Sequence, residues 1–160
     1  MAIYFPNGGV LAEVAGKISA PGRVVQTVHT TSTAGVATAS TSAVDLFTSS
    51  TITLTNASNK ILIEWYAENR VGDWGDGVWN LYYMDIVHVQ SGTSLAYTGY
   101  RGEQTNSIRH YHKVAIHTPG SVGPHSYKLR GWCYQASTTT FITGAGGDTV
   151  AHIRLTEIAV

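Results

Sequence analysis

Charge is scarce in this chain, and what there is cancels. Ten Lys and Arg stand against ten Asp and Glu in 160 residues, so only 12% of the chain is charged and the net charge is zero. A nucleic-acid binder needs a basic face to engage phosphates, and none is available here. No apolar run approaches the roughly 20 residues of a membrane-spanning helix. The expected partners therefore include neither nucleic acid nor a membrane. The same balance removes electrostatic repulsion between copies, which favours self-association. There is a single cysteine, Cys133, so no intrachain disulfide forms, as suits folding in a reducing cytoplasm. The opening residues MAIYFPNGG contain neither a basic segment nor a long apolar core, so no secretory signal is expected.

Catalytic patterns are missing as well. No serine sits in a G-x-S-x-G elbow, and no nucleophile, base and orienting group are marked by spacing. The acidic residues lie mostly in turns or strand flanks and single out no pair for glycoside cleavage. The expectation is a protein that is not an enzyme and needs no cofactor.

What is present is strand pattern. Residues 51–68, TITLTNASNKILIEWYAE, read as strand, turn, strand. Ile52 and Leu54 alternate with threonines, NASNK at 56–60 is turn chemistry, and Ile61, Ile63, Trp65 and Ala67 then alternate with Leu62, Glu64, Tyr66 and Glu68. The first alternation predicts a half-buried strand and the second places Trp65 in a core, with Tyr66 near another layer or a subunit contact. Asn and Ser in the turn bond to nearby backbone. Around this unit lie further strand patterns at 23–30, 43–47, 78–90, 94–98, 108–118, 125–135, 138–143 and 151–160. Residues 78–90 are apolar on both faces, as in a central strand covered on both sides. Residues 31–42 are small and polar, a loop or an edge segment, and 99–107 read as a loop. About nine or ten short strands with turns between them, and no convincing amphipathic helix, predict an all-β fold: an antiparallel β-sandwich or jelly roll.

Residues 1–22 differ from the rest and read as an N-terminal arm, with residues 23–160 as the sandwich domain. Residues 10–15 suit a short helical turn or a strand. Ile3, Tyr4, Phe5, Val10 and Leu11 are costly to leave in water, which favours a docking arm over a frayed terminus.

Three fragments carry a resemblance: GKISAPGRVVQTVHTTST (16–33), STITLTNASNKILIEWYAE (50–68) and ITGAGGDTVAHIRLTEIA (142–159). In order they resemble a β-sandwich domain common in tailed-phage virion proteins. That domain opens on a "GKvlQvv" strand, continues through a Thr/Ser-rich segment and an "itPsStsnKilI" hairpin, and ends on an "lYlmEia"-type strand. The likeness spans about residues 16–160, and NASNK stands where the family has a Pro-containing turn. Such domains occur as tail-fibre tips and as small proteins on the head or tail. The resemblance implies a homotrimeric β-sandwich on the virion surface, made in the host cytoplasm, and transfers no catalytic residue. With no fibre-forming shaft in the sequence, the leading expectation is a capsid decoration or cement protein, bound through its arm to the major capsid protein or another virion protein. The alternative is a tail-fibre receptor-binding module that grips host glycans through Trp74, Tyr97 and Tyr100, aromatics in or beside loops. His110 and His112 share one strand face but have no third ligand at a metal spacing. Asp73 and Asp76 in GDWGDG lack the ordered spacing of a calcium loop. No metal site is expected from either.

Overall fold

A computed structural model describes residues 3–4, 10–14, 17–71, 80–102, 108–134, 139–142 and 150–160, with side chains over 20–68, 82–99, 110–134 and 150–160. Among these residues every regular element is a strand. The first three are β1 (Ile3–Tyr4), β2 (Val10–Val14) and β3 (Lys17–Ser19), followed by β4 (Val24–Ser32), β5 (Val36–Thr38), β6 (Val44–Thr48) and β7 (Ile52–Thr53). Then come β8 (Lys60–Val71), β9 (Asn80–His88), β10 (Ser94–Gly102) and β11 (Ile108–His117). The chain ends with β12 (Pro124–His125), β13 (Tyr127–Cys133), β14 (Thr139–Ile142) and β15 (Ala151–Ile158). Of the twelve strands from β4 onward, β7 and β12 have only two residues each, leaving ten longer ones.

Strand order identifies the architecture. One sheet runs β10-β9-β13-β6. In the other, β4-β15-β8 is extended by β11, because β15 and β11 both pair with residues 61–66 of β8 and must occupy its opposite edges. Number the eight strands β4, β6, β8, β9, β10, β11, β13 and β15 from one to eight in chain order. The sheets then read one-eight-three-six and two-seven-four-five, antiparallel throughout. This is the double-sheet jelly roll. β14 continues along the β15 edge of β8 and carries β5 as the outer strand.

The inner faces form one core. Ile61, Ile63, Trp65 and Ala67 of β8 and Ala151, Ile153 and Leu155 of β15 meet Tyr82, Met84 and Ile86 of β9 and Tyr127 and Leu129 of β13. The period of two puts these residues inward, and Trp65, as expected, is fully buried. Its neighbour Tyr66 faces outward and stacks on His152, with ring centroids 5.5 Å apart. β9 lies inside its sheet between β10 and β13, as its two apolar faces suggested.

Two expectations need correction. Residues 51–68 do not form a hairpin: β7 pairs with β12, and β8 pairs with β11, β14 and β15. The NASNK turn instead carries the chain across a corner of the sandwich. Glu157 holds that corner, accepting from the Thr55 backbone N–H and hydroxyl (both 2.8 Å) and from Asn59 Nδ2 (2.6 Å). Second, β10 does not stop at Thr98 but runs to Gly102. A Cβ at Gly99 would lie 2.7 Å from the Tyr83 ring, so glycine here lets that ring lie against the strand. Residues 31–42 contain β5, an edge strand, which is the second of the two readings of that segment.

In the arm, residues 10–14 are a strand, and β1-β2-β3 pair into a sheet of their own with Ile3 opposite Leu11 and Tyr4 opposite Val10. Phe5 lies outside the described residues. A turn closed by Arg23 N–H on the Ala20 carbonyl (3.2 Å) leads into β4, with Gly22 at the left-handed φ of 79° that favours glycine.

Candidate functional site

The outward face of the four-stranded sheet gathers the exposed aromatic residues. Along β13, Tyr127, Leu129 and Cys133 point inward, so Lys128, Arg130 and Trp132 point out. Along β9, Tyr82, Met84 and Ile86 are inward, which turns out Tyr83 and Asp85. Antiparallel register then fixes two rows: Trp132 beside Tyr83 beside Gly99, and Asp45 beside Arg130 beside Asp85 beside Tyr97.

Trp132 and Tyr83 of the first row and Tyr97 of the second form a cluster of rings. Tyr83 stacks on Tyr97 at 5.3 Å and 26°, and lies 5.5 Å from Trp132 at 32°. Tyr97 and Trp132 are 5.9 Å apart, and Tyr134 meets Tyr83 edge-on at 6.5 Å. These are the offset and edge geometries that aromatic quadrupoles prefer. Tyr97 and Tyr134 are 55% and 61% exposed. Burial, Tyr83 and Asp85 raise the Tyr97 hydroxyl above its ordinary value, so it stays neutral.

The second row is charged and self-compensated. Arg130 grips Asp85 with Nε on Oδ1 (3.0 Å) and the second nitrogen on Oδ2 (2.6 Å), a bidentate fork. Lys128 donates to Asp45 at 2.8 Å.

Sequence reasoning singled out Trp74, Tyr97 and Tyr100 in or beside loops. Tyr97 and Tyr100 belong instead to β10. The side chain of Tyr100 and all of Trp74 lie outside the described residues, as do Asp73 and Asp76. Tyr83, Trp132 and Tyr134 were read only as strand residues. The available signal was their outward register opposite buried Tyr82, Leu129 and Cys133.

The histidines fall into two groups. His29, His110, His112 and His152 lie on the outer side of the six-stranded sheet around Tyr66. There the Tyr66 hydroxyl donates to Glu68 at 3.1 Å, and His110 Nδ1 is 2.8 Å from the same oxygen. Burial lowers His152, and His29 and His112 lower it further. Among the described residues no three His, Cys, Asp or Glu side chains are arranged to hold a metal.

The second group, His88, His117 and His125, is turned inward. His125 Nε2 donates to the Ser121 carbonyl (3.0 Å), so in its neutral form Nδ1 accepts from His88 Nε2 (3.1 Å), and His88 Nδ1 faces the Ser91 hydroxyl (2.9 Å). His117 Nδ1 meets the Tyr127 hydroxyl at 3.0 Å, and its ring lies 4.6 Å from that of His88. Burial, helped by His117 and His125, pushes His88 down to about 4. Three hydrogen bonds thus link Ser121, His125, His88 and Ser91 in one chain.

No protein-family model and no curated protein matches this chain. The solved structures similar to it include two of infectious bursal disease virus. One is of infectious bursal disease virus, Gx strain, at 12% identity and TM-score 0.47, over 92% of this chain and 46% of that one. The other is a mutant VP2 protein of infectious bursal disease virus from T=1 particles, at 13% identity and TM-score 0.42, over 86% of this chain and 40% of that one. This chain therefore spans less than half the length of either. Its own strand order is what makes it a jelly roll.

Proposed function

We propose that this chain is a structural protein of a virus particle, a decoration or cement protein on the capsid surface that acts as a homotrimer and docks through residues 1–22. The observation that carries the reading is the division of the chain into a jelly-roll body and an N-terminal segment whose strands pair only with one another among the described residues. A fold by itself names no function. The three fragments that resemble the tailed-phage virion domain supply the rest, with Ile3, Tyr4, Phe5, Val10 and Leu11 as the apolar anchor. Docking would bury these residues against the major capsid protein or another virion protein, tying subunits together by area rather than by charge. In this reading the chain does no catalysis and meets neither nucleic acid nor membrane. Deleting residues 1–15 is expected to abolish attachment to particles while leaving a soluble trimer. Normal occupancy of the truncated protein on purified virions would sink the proposal.

A tail-fibre module that binds host glycans is the second reading, favoured by the exposed position of Tyr97. It expects Trp74→Ala with Tyr100→Ala to remove adsorption to host cells, and it places the protein at the tail in images of whole particles.

A further inference from the structure

We propose that the outer face of the four-stranded sheet is a binding site for neutral carbohydrate, with the exposed Tyr97 ring, backed by Tyr83 and Trp132, stacking on the apolar face of a pyranose and the Asp85–Arg130 pair beside it meeting its hydroxyls. This goes beyond the virion reading, and it stands whether the protein sits on a head, on a tail or on neither. It also moves the glycan contact from the loops to a rigid sheet face.

Three observations select the ligand. The first is shape. Three ring centroids 5.3, 5.5 and 5.9 Å apart form a compact cluster, in which the exposed Tyr97 ring stacks on Tyr83 with Trp132 beside both. The tilt between Tyr83 and its neighbours is only 26° and 32°, and Tyr134 closes one side edge-on. A pyranose offers a flat face of C–H groups with hydroxyls around its rim, so it matches rings flanked by polar groups. The second is charge. The two cations beside the rings, Arg130 and Lys128, are each held by a carboxylate, Asp85 and Asp45. Among the described side chains, the face therefore has no free positive charge to attract a phosphate or an acidic sugar. The third is the company the rings keep. The most exposed aliphatic side chains of the described strands, Ile116 at 63%, Val24 at 56% and Val114 at 52%, lie on β11 and β4 in the other sheet. A second protein copy finds its apolar area there, while the aromatic face mixes rings with paired charges.

The backbone is fitted to this platform. Gly99 sits opposite Tyr83, where any Cβ would be 2.7 Å from the ring. Asp85 is almost fully buried, and its bidentate contact fixes the Arg130 guanidinium at the rim of the rings.

The test uses the full chain on an array of neutral glycans, followed by titration with the methyl glycosides that score, read by tryptophan fluorescence. Saturable binding is expected. Tyr97→Ala should weaken it about tenfold, and Tyr97→Phe should retain it, because the ring rather than the hydroxyl makes the contact. Gly99→Ala should weaken it without removing any ring, by displacing Tyr83. Tyr97 is exposed, so its variants fold even if a Trp132 variant does not. Silence across the array overturns the proposal, as does full affinity in Tyr97→Ala or a preference for acidic glycans. A change of oligomeric state in Tyr97→Ala with no change in sugar binding overturns it in favour of an interface between copies. None of these outcomes bears on whether the N-terminal segment anchors the protein to a particle.

Discussion

His88, His125 and Glu157 are turned inward around the short β7–β12 pair, while Tyr83, Tyr97, Trp132 and Tyr134 are turned outward on the four-stranded sheet. The first group has the side chains normally associated with chemistry, yet every one is spent on structure. Glu157 is fully buried, and among the described residues it forms no ion pair. Its Oε1 accepts from Thr55 and Asn59, and its Oε2 from Gln26 Nε2 at 2.6 Å. Burial raises its carboxyl, but these donors outweigh that and hold it below the ordinary carboxylate value. The second group has the side chains usually spent on cores, yet Tyr97 and Tyr134 are more than half exposed. In a sandwich with a complete apolar core, polar residues are needed where the chain crosses from sheet to sheet and backbone groups lack ladder partners. Aromatic residues left outside are then free for recognition.

The largest test of this contrast is Glu157→Ala. It removes the acceptor of four donors, two from exposed Thr55, one from half-buried Gln26 and one from buried Asn59, and is expected to cost about 3–5 kcal/mol in denaturant unfolding. A loss below about 1 kcal/mol would show that Glu157 does not hold the corner. Its depressed carboxyl also makes the stabilisation fully present above the ordinary carboxylate value, and lost as pH falls through the folded value.

Next in size is the histidine cluster. His88 is held neutral, with its value moved from 6.5 to about 4. The unfolded chain therefore takes up the proton first, and stability falls as pH drops from about 6.5 toward 4, by roughly 3 kcal/mol in all. Unfolding curves measured across this range in the wild type and in His88→Phe check it. The slope should flatten in the variant, and an unchanged slope would place the titration elsewhere.

Asp85→Asn comes third. It removes the charge that Arg130 grips and is expected to cost about 2 kcal/mol in thermal unfolding. Least of all, Tyr97→Ala should change stability by no more than about 0.5 kcal/mol. If Tyr97→Ala destabilises as much as Asp85→Asn, the ring belongs to the fold and the contrast breaks.

Much of the fold was legible because burial follows the period of two. The inward sets Ile61, Ile63, Trp65 of β8, Tyr127, Leu129, Cys133 of β13 and Ile153, Leu155, Glu157 of β15 are the alternations visible in the sequence. Glu157 occupies an inward position there, and only the donors from Gln26, Thr55 and Asn59 explain how a carboxylate is tolerated. The supposed hairpin failed for a related reason. A turn-like NASNK says that the chain reverses, but not whether the reversed strand pairs with its predecessor or crosses to the facing sheet. The strand at 94–102 was cut short because a glycine reads as a break until the ring packed on it is known.

The aromatic site was less legible than the fold. Tyr83, Tyr97 and Trp132 come from three strands, and each looks ordinary within its own strand. The sequence by itself determined an all-β chain, the inward and outward side of most strands, and a balanced charge, because these depend on local alternation and composition. Tertiary structure decided which strands are neighbours and in what register, because antiparallel partners far apart in the chain are matched by whole-sheet packing rather than by local pattern. A shift of one residue in β10 would have turned Tyr97 into the core and left no platform at all.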